Sequence, residues 1–213
     1  PALATTIPTR HRDAVLLDVG ATIDCRPRHL LQFAAMGTVY AKKILGIENP
    51  RVGLLSIGEE AIKGNDLTRD AYQLLSDSRI QFIGNLEARD LYGGDADVIV
   101  CDGFTGNVAL KVSEGLVEVV EDLLPDELNR TFTTQLGYFL SRRSYRRFRR
   151  RVDYSEYGGA PLLGVTGLAV VGHGRSSIKA VRNALALTYR FVREGFVRLI
   201  DESMTALDTE RSH

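Results

Sequence analysis

The chain is short of several things, and each shortage excludes something. Lysine plus arginine and aspartate plus glutamate stand at 27 each, so neither sign is in surplus and bulk charge points to no nucleic-acid partner. No apolar run approaches the roughly 20 residues that cross a bilayer, and nothing has the form of a signal peptide. The expectation is a cytoplasmic protein, soluble or peripheral to a membrane. Cysteine is scarce: Cys25 and Cys101 have no metal-ligand spacing and read as thiols in a reducing compartment, not as a disulfide. There is no Walker A or G-x-G-x-x-G motif, no H-E-x-x-H, no clustered cysteine set, no paired carboxylate and no Ser-His-Asp order. Nucleotide, metal and hydrolase chemistry are therefore not indicated, and no cofactor is implied. The chain opens at Pro1 without a methionine and soon enters an apolar strand, as a fragment of a longer protein would.

What is present reads as α/β. At 213 residues and 44% hydrophobic, the chain can bury a sizeable core. Residues 14–19 are apolar, β-rich and stopped by Gly20, which predicts a buried strand. Pro27 suits a first helical turn, and Leu30, Phe33, Ala34, Gly37, Tyr40, Ala41 and Ile44 recur at helical spacing until Gly46. Further strands are predicted over 52–57, 81–83 and 97–101, with a helix running to about Leu75. Another helix carries Val108, Val112, Gly115, Leu116, Val119 and Leu123 on one side. An apolar strand ending at Val171 and one long terminal helix, capped by Ser176 or Ser177, complete the pattern. Such alternation predicts a three-layer α/β/α fold on a mostly parallel sheet. The domain reading is a core over 1–124, an inserted arginine-rich helical element over 125–156, and a return to the core over 157–213.

In such sheets ligands collect outside the carboxyl ends of the strands, where loops enter helix N-termini. Four glycine-bearing loops are expected there: 20–24, 58–65, 102–107 and 172–177. The second is densest in charge, with Glu59, Glu60 and Lys63 beside Gly64 and Asn65. Lys63 offers a point charge to an anion and Asn65 a neutral donor, though a solvated loop with an internal ion pair would look the same. The third presents Asp102, Gly103, Gly106 and Asn107, with Lys111 one turn on; helix capping alone would also explain Asn107. His173 is placed either to protonate a leaving thiolate or to bond a neighbouring loop.

Several ordered segments resemble the PlsX-type phosphate acyltransferase family: residues 17–21 (LDVGA), 51–60 (RVGLLSIGEE), 63–65 (KGN), 101–107 (CDGFTGN) and 157–164 (YGGAPLLG). The match runs from about Leu17 to the terminal helix. Thr22 stands where the family commonly has asparagine and Ala88 where it has glycine, and the family's opening strand-helix region with its Asp-Ala-Met-Gly-Gly-Asp motif is absent. The resemblance implies a fold related to phosphotransacetylases and isocitrate dehydrogenases, a homodimer, and acyl transfer from acyl carrier protein to inorganic phosphate. On that reading Lys63, Asn107 and His173 are catalytic, with Lys63 holding phosphate and Asn107, helped by amides near Gly106, holding the carbonyl oxygen. Glu59, Glu60, Gly64, Asn65, Asp102, Gly103, Gly106 and Lys111 contact substrate. The arginine-rich element, with Leu136, Phe139, Leu140, Arg146, Arg147 and Arg150, would dock acidic carrier protein or an anionic membrane surface. The rivals are a phosphotransacetylase acting on a coenzyme A thioester, and a non-catalytic module that only binds carrier or membrane.

Overall fold

A computed structural model of the chain describes residues 1–152, 158–172 and 176–209. In chain order its strands are β1 (Ala2–Ile7), β2 (Ala14–Leu17), β3 (Val52–Leu55), β4 (Phe82–Leu86), β5 (Val98–Val100), β6 (Ala160–Leu163) and β7 (Ala169–Val171). Its helices are α1 (Pro27–Lys43), α2 (Asp66–Ser76), α3 (Gly103–Leu128), α4 (Phe132–Val152), α5 (Ile178–Arg193) and α6 (Phe196–Thr209), with a short 3₁₀ turn over Ala88–Tyr92. One seven-stranded sheet has the order β4-β3-β5-β2-β1-β6-β7. The first four of these are mutually parallel, while β1 runs antiparallel to β2 and β6, and β7 antiparallel to β6.

Period-two alternation divides the core into two layers, as a sheet buried on both faces requires. Val15, Leu17, Val52, Leu54, Val98 and Val100 face one side, under Leu30, Phe33 and Tyr40 of α1, Leu75 of α2 and Phe196 and Ile200 of α6. Ala14, Leu16, Leu55, Ile99 and Cys101 face the other, where Ala109 and Leu110 of α3 close over them. This is the expected three-layer arrangement, with helices on both sides of the sheet.

Four details depart from the sequence reading. Strand β1 was not anticipated, because Ala-Leu-Ala-Thr-Thr-Ile has weak alternation and lies next to Pro8; pairing with β2 and β6 on both sides makes it a strand. Strand β6 was likewise not anticipated. The terminal helix is two helices, broken at Gly195, whose φ of 61° is a left-handed conformation that a glycine adopts without steric cost. The apolar row on α3 does not pack on the sheet: Val108, Val112, Leu116, Val119 and Leu123 are exposed, while Gly103 and Gly106 are buried. That helix meets the sheet only through its first turns and then leaves it.

It also runs unbroken past residue 124 to Leu128 before turning into α4. The two form a hairpin in which Arg149 of α4 pairs with Glu121 of α3 at 2.8 Å. At the end of the sheet away from the ligand loops, Asp97 is 1% exposed and anchors two arginines, Arg12 at 2.8 Å and Arg51 at 3.1 Å. Burial pushes the Asp97 carboxyl up, but the hydrogen bonds from the Arg51 side chain and backbone and the charges of both arginines outweigh it and leave it below the usual carboxylate range.

Candidate functional site

Neighbouring parallel strands place their following loops side by side. Strands β3, β5 and β2 are consecutive in the sheet, so residues 56–65, 101–107 and 18–24 share one edge. Strand β7 runs antiparallel to β6, so its carboxyl end at Val171 does not point toward that edge as the ends of β2, β3 and β5 do. Gly172 and Ser176 nevertheless line the same groove as Asn107 and Lys111. His173 and Tyr157 lie outside the described residues.

The sequence reading passed over Asp18. It is fully buried at the end of β2, and its carboxylate accepts backbone N–H bonds from Leu3, Gly20 and Ala21 at 2.9 Å and from Thr22 at 2.6 Å. Three amides expected to face a ligand are thus turned inward onto Asp18. An acid at the end of an otherwise apolar strand was the available signal, since a buried carboxylate must be given donors. The peptide of Asp18 also meets α3: a Cβ on Gly106 would stand 1.9 Å from the Asp18 carbonyl oxygen and 2.8 Å from Cys101 Sγ. Glycine at 106 therefore serves the close approach of helix to strand.

The polar residues of the edge divide into those already engaged and those still available. Asp102 is the N-cap of α3, accepting from Thr105 N at 2.9 Å and Thr105 Oγ1 at 2.7 Å. The Gly103 N–H donates to Thr22 O and the Gly106 N–H to Asp102 O. Asn65 caps α2, its Oδ1 accepting from Thr68 N at 2.9 Å, which leaves its Nδ2 as the group that can donate. Lys111 pairs with Glu114 at 2.6 Å. Glu59 lies 3.9 Å from Arg89, a loose contact between exposed side chains. Glu60 and Lys63 are exposed, Gly64 is half-buried, and the Lys63 ammonium has no ion-pair partner among the described residues.

Asn107 stands apart from this. Because Asp102 supplies the cap, capping does not account for Asn107, and its side chain makes no hydrogen bond among the described residues. It sits beside the β2 loop, 3.8 Å from where a Gly20 Cβ would be. From Asn107 a groove of about 470 Å³ runs between α3, α5 and the β6–β7 hairpin, walled by Leu3, Val19, Leu110, Val170, Val181 and Leu185. Its volume lies in the range of small-ligand sites, about 300–1,000 Å³. Beneath the edge, burial pushes the Cys25 thiol up to about 11, and Cys101 well above its ordinary value; both are free thiols. Neither is a thiolate at neutral pH.

A family described as fatty acid synthesis protein matches residues 1–199. The chain belongs to that family. A phosphate acyltransferase from Acidobacterium capsulatum is 50% identical over 206 residues, covering 97% of this chain and 61% of the relative. One from Geotalea uraniireducens is 48% identical over 204 residues, covering 96% and 59%. The chain thus spans about three fifths of the length of the curated relatives it matches. Among solved structures, a branched-chain phosphotransacylase from Enterococcus faecalis V583 superposes with a TM-score of 0.53 at 17% identity, over 90% of this chain and 66% of that one. That likeness concerns the fold. Within this fatty acid synthesis family, the resemblance read from residues 17–21, 51–60, 63–65 and 101–107 falls on the three loops that share the sheet edge.

On α4, Leu136, Phe139, Leu140, Arg143, Arg147 and Arg150 fall on one helical stripe, and all are exposed. Tyr138, Tyr145 and Arg149 occupy the opposite side, toward α3. Arg151 reaches the Thr9 carbonyl at 2.7 Å. Among the described residues no helix is long and apolar enough to cross a membrane.

Proposed function

We propose that the protein transfers a fatty acyl group from acyl carrier protein to inorganic phosphate, releasing acyl phosphate for phospholipid synthesis. What supports this is that Lys63 and Asn107 follow neighbouring strands at one sheet edge, each without a side-chain partner among the described residues and the second beside an apolar groove, in a chain whose relatives are named phosphate acyltransferases. Lys63 holds the phosphate dianion. A phosphate oxygen attacks the thioester carbonyl carbon, and Asn107 Nδ2 donates to the oxygen as it becomes an oxyanion. Collapse of the tetrahedral intermediate breaks the carbon–sulfur bond and expels the carrier's thiolate, which His173 protonates. The groove beside Asn107 takes the alkyl chain, each buried methylene contributing about 0.8 kcal/mol. Glu59, Glu60, Gly64 and Asn65 shape the phosphate end, and Asp102, Gly103, Gly106 and Lys111 the carbonyl end.

The test is release of carrier thiol that depends on phosphate. Lys63→Ala is expected to lose on the order of 10²–10³ in rate, the usual cost of one preorganised donor at developing charge, with an unchanged melting temperature. Full turnover by that variant would remove Lys63 from the mechanism. A comparison of acyl carrier protein with coenzyme A as acyl donor separates this reading from a phosphotransacetylase.

The stripe on α4 supports a peripheral docking role at the membrane surface. Clustered arginines beside apolar side chains are attracted to anionic lipid by about 1 kcal/mol per basic residue near the surface. Charge reversal of Arg146, Arg147 and Arg150 together should abolish flotation with anionic vesicles; flotation at the wild-type level would refute lipid as the target and leave carrier docking. The same reading makes the protein a homodimer, and Tyr189 and Val192 on α5, exposed and outside the groove lining, support an apolar contact between copies.

A further inference from the structure

Asn85 lies in β4, next to the strand that leads into the Lys63 loop, and is 5% exposed. Its Nδ2 donates to the Glu60 carbonyl at 2.9 Å. The same carbonyl accepts the Lys63 N–H at 3.0 Å, closing a turn over residues 60–63. Few other contacts hold this turn among the described residues: residues 59–63 are all exposed, and the further ties are Ser56 Oγ to the Lys63 carbonyl at 3.4 Å, the loose Glu59–Arg89 contact at 3.9 Å, Arg69 Nη1 to the adjoining Gly64 carbonyl at 2.8 Å and the buried Gly58 beneath the Lys63 side chain. Asn85 Oδ1 accepts no hydrogen bond among the described residues although it is buried. An unpaired buried acceptor costs free energy that an apolar side chain of similar size would not incur. Turning the amide over would set oxygen against the Glu60 carbonyl, so the observed orientation is the one that spends the donor on Glu60.

We propose that Asn85 is a positioning residue for Lys63: its amide fixes the Glu60 carbonyl, and through it the turn that aims the lysine at phosphate. The inference rests on the role given to Lys63 above. A buried amide with half its capacity unused is retained because the donor half orders an exposed and weakly tied turn, so that the ammonium is preorganised.

Asn85→Leu removes donor and orphan acceptor together at similar volume, and Asn85→Asp keeps the shape while removing the donor. In both variants hydrogen exchange at the Lys63 amide should accelerate roughly tenfold, the equivalent of about one hydrogen bond, with Leu54 and Leu75 as protected as in the wild type. In the intact protein the KM for inorganic phosphate should rise by about the same factor. Adding Asn85→Leu to Lys63→Ala should cost nothing more, because one residue acts through the other. Unchanged exchange at Lys63, or a double variant that loses the full product of the two single effects, would overturn the proposal. Full turnover by Lys63→Ala would instead overturn the function of Lys63, and with it the purpose assigned to Asn85; the exchange data tell that failure apart from a failure of Asn85 to order the turn.

Discussion

Replacing Gly106 by alanine puts a methyl group 1.9 Å from the Asp18 carbonyl oxygen. Even a close carbon–oxygen contact needs about 3.3 Å, so helix or strand must move by more than an ångström. Neither moves easily, because the Asp18 N–H is bonded to Cys101 O and its carboxylate is held by four backbone amides. Forced overpacking of this kind costs about 1–3 kcal/mol and occasionally more. Against it stands the gain of about 1 kcal/mol that alanine has over glycine within a helix. The net expectation is a loss of about 1 kcal/mol. The same helix carries its own control: a Cβ on Gly115 meets nothing within 4 Å, so Gly115→Ala should gain most of that 1 kcal/mol. For a chain of this length 1 kcal/mol shifts Tm by about 2–4 °C, so the two variants should melt roughly 6 °C apart, on opposite sides of the wild type. Thermal unfolding followed by circular dichroism reads this directly. A Gly106→Ala protein as stable as Gly115→Ala would show that the α3–β2 approach is not as tight as described.

Two further outcomes follow from side chains at either end of the sheet. Asn65→Ala should lose about 1 kcal/mol through the missing cap on α2, whereas Asn65→Asp keeps the cap and places an acid at a helix N-terminus; it should melt like the wild type yet bind inorganic phosphate more weakly in a calorimetric titration. Equal phosphate binding by Asn65→Asp would leave Asn65 a cap and nothing more. Asp97 has a folded-state pKa below its unfolded value of about 3.9, so its contribution is complete above that value and is lost as pH falls through the folded value. Asp97→Asn should therefore cost about 2–3 kcal/mol at pH 7, at or below the range for breaking a buried pair because both arginines remain partly exposed. Its deficit should shrink in urea melts taken toward pH 3; a deficit independent of pH would refute the charge argument.

The elements that carried their own periodicity were legible in advance. Leu30, Phe33, Ala34, Gly37, Tyr40 and Ala41 were read as one helical face, and all are buried on α1. Strand β1 was not legible, because the weakly alternating Ala-Leu-Ala-Thr-Thr-Ile acquires its meaning only from β2 and β6 on its two sides. On α3 the apolar row was legible as a row, while what lies against it was not read from the sequence: a hydrophobic stripe says that a face is apolar, not what covers it.

Sequence alone determined the alternation of strands and helices, the glycine-bearing loops that end them, and the family. These are local properties, set by period, turn chemistry and residue identity along a contiguous stretch. Tertiary structure decided which donors remain. Asp102 and Asn65 became caps, Asp18 took up the amides of the β2 loop, Asn85 reached across a strand to Glu60, and Lys63 and Asn107 kept their polar groups unengaged among the described residues. The partners in such hydrogen bonds can lie tens of residues apart, as Glu60 and Asn85 do, and only strand order and register bring them within 3 Å of one another.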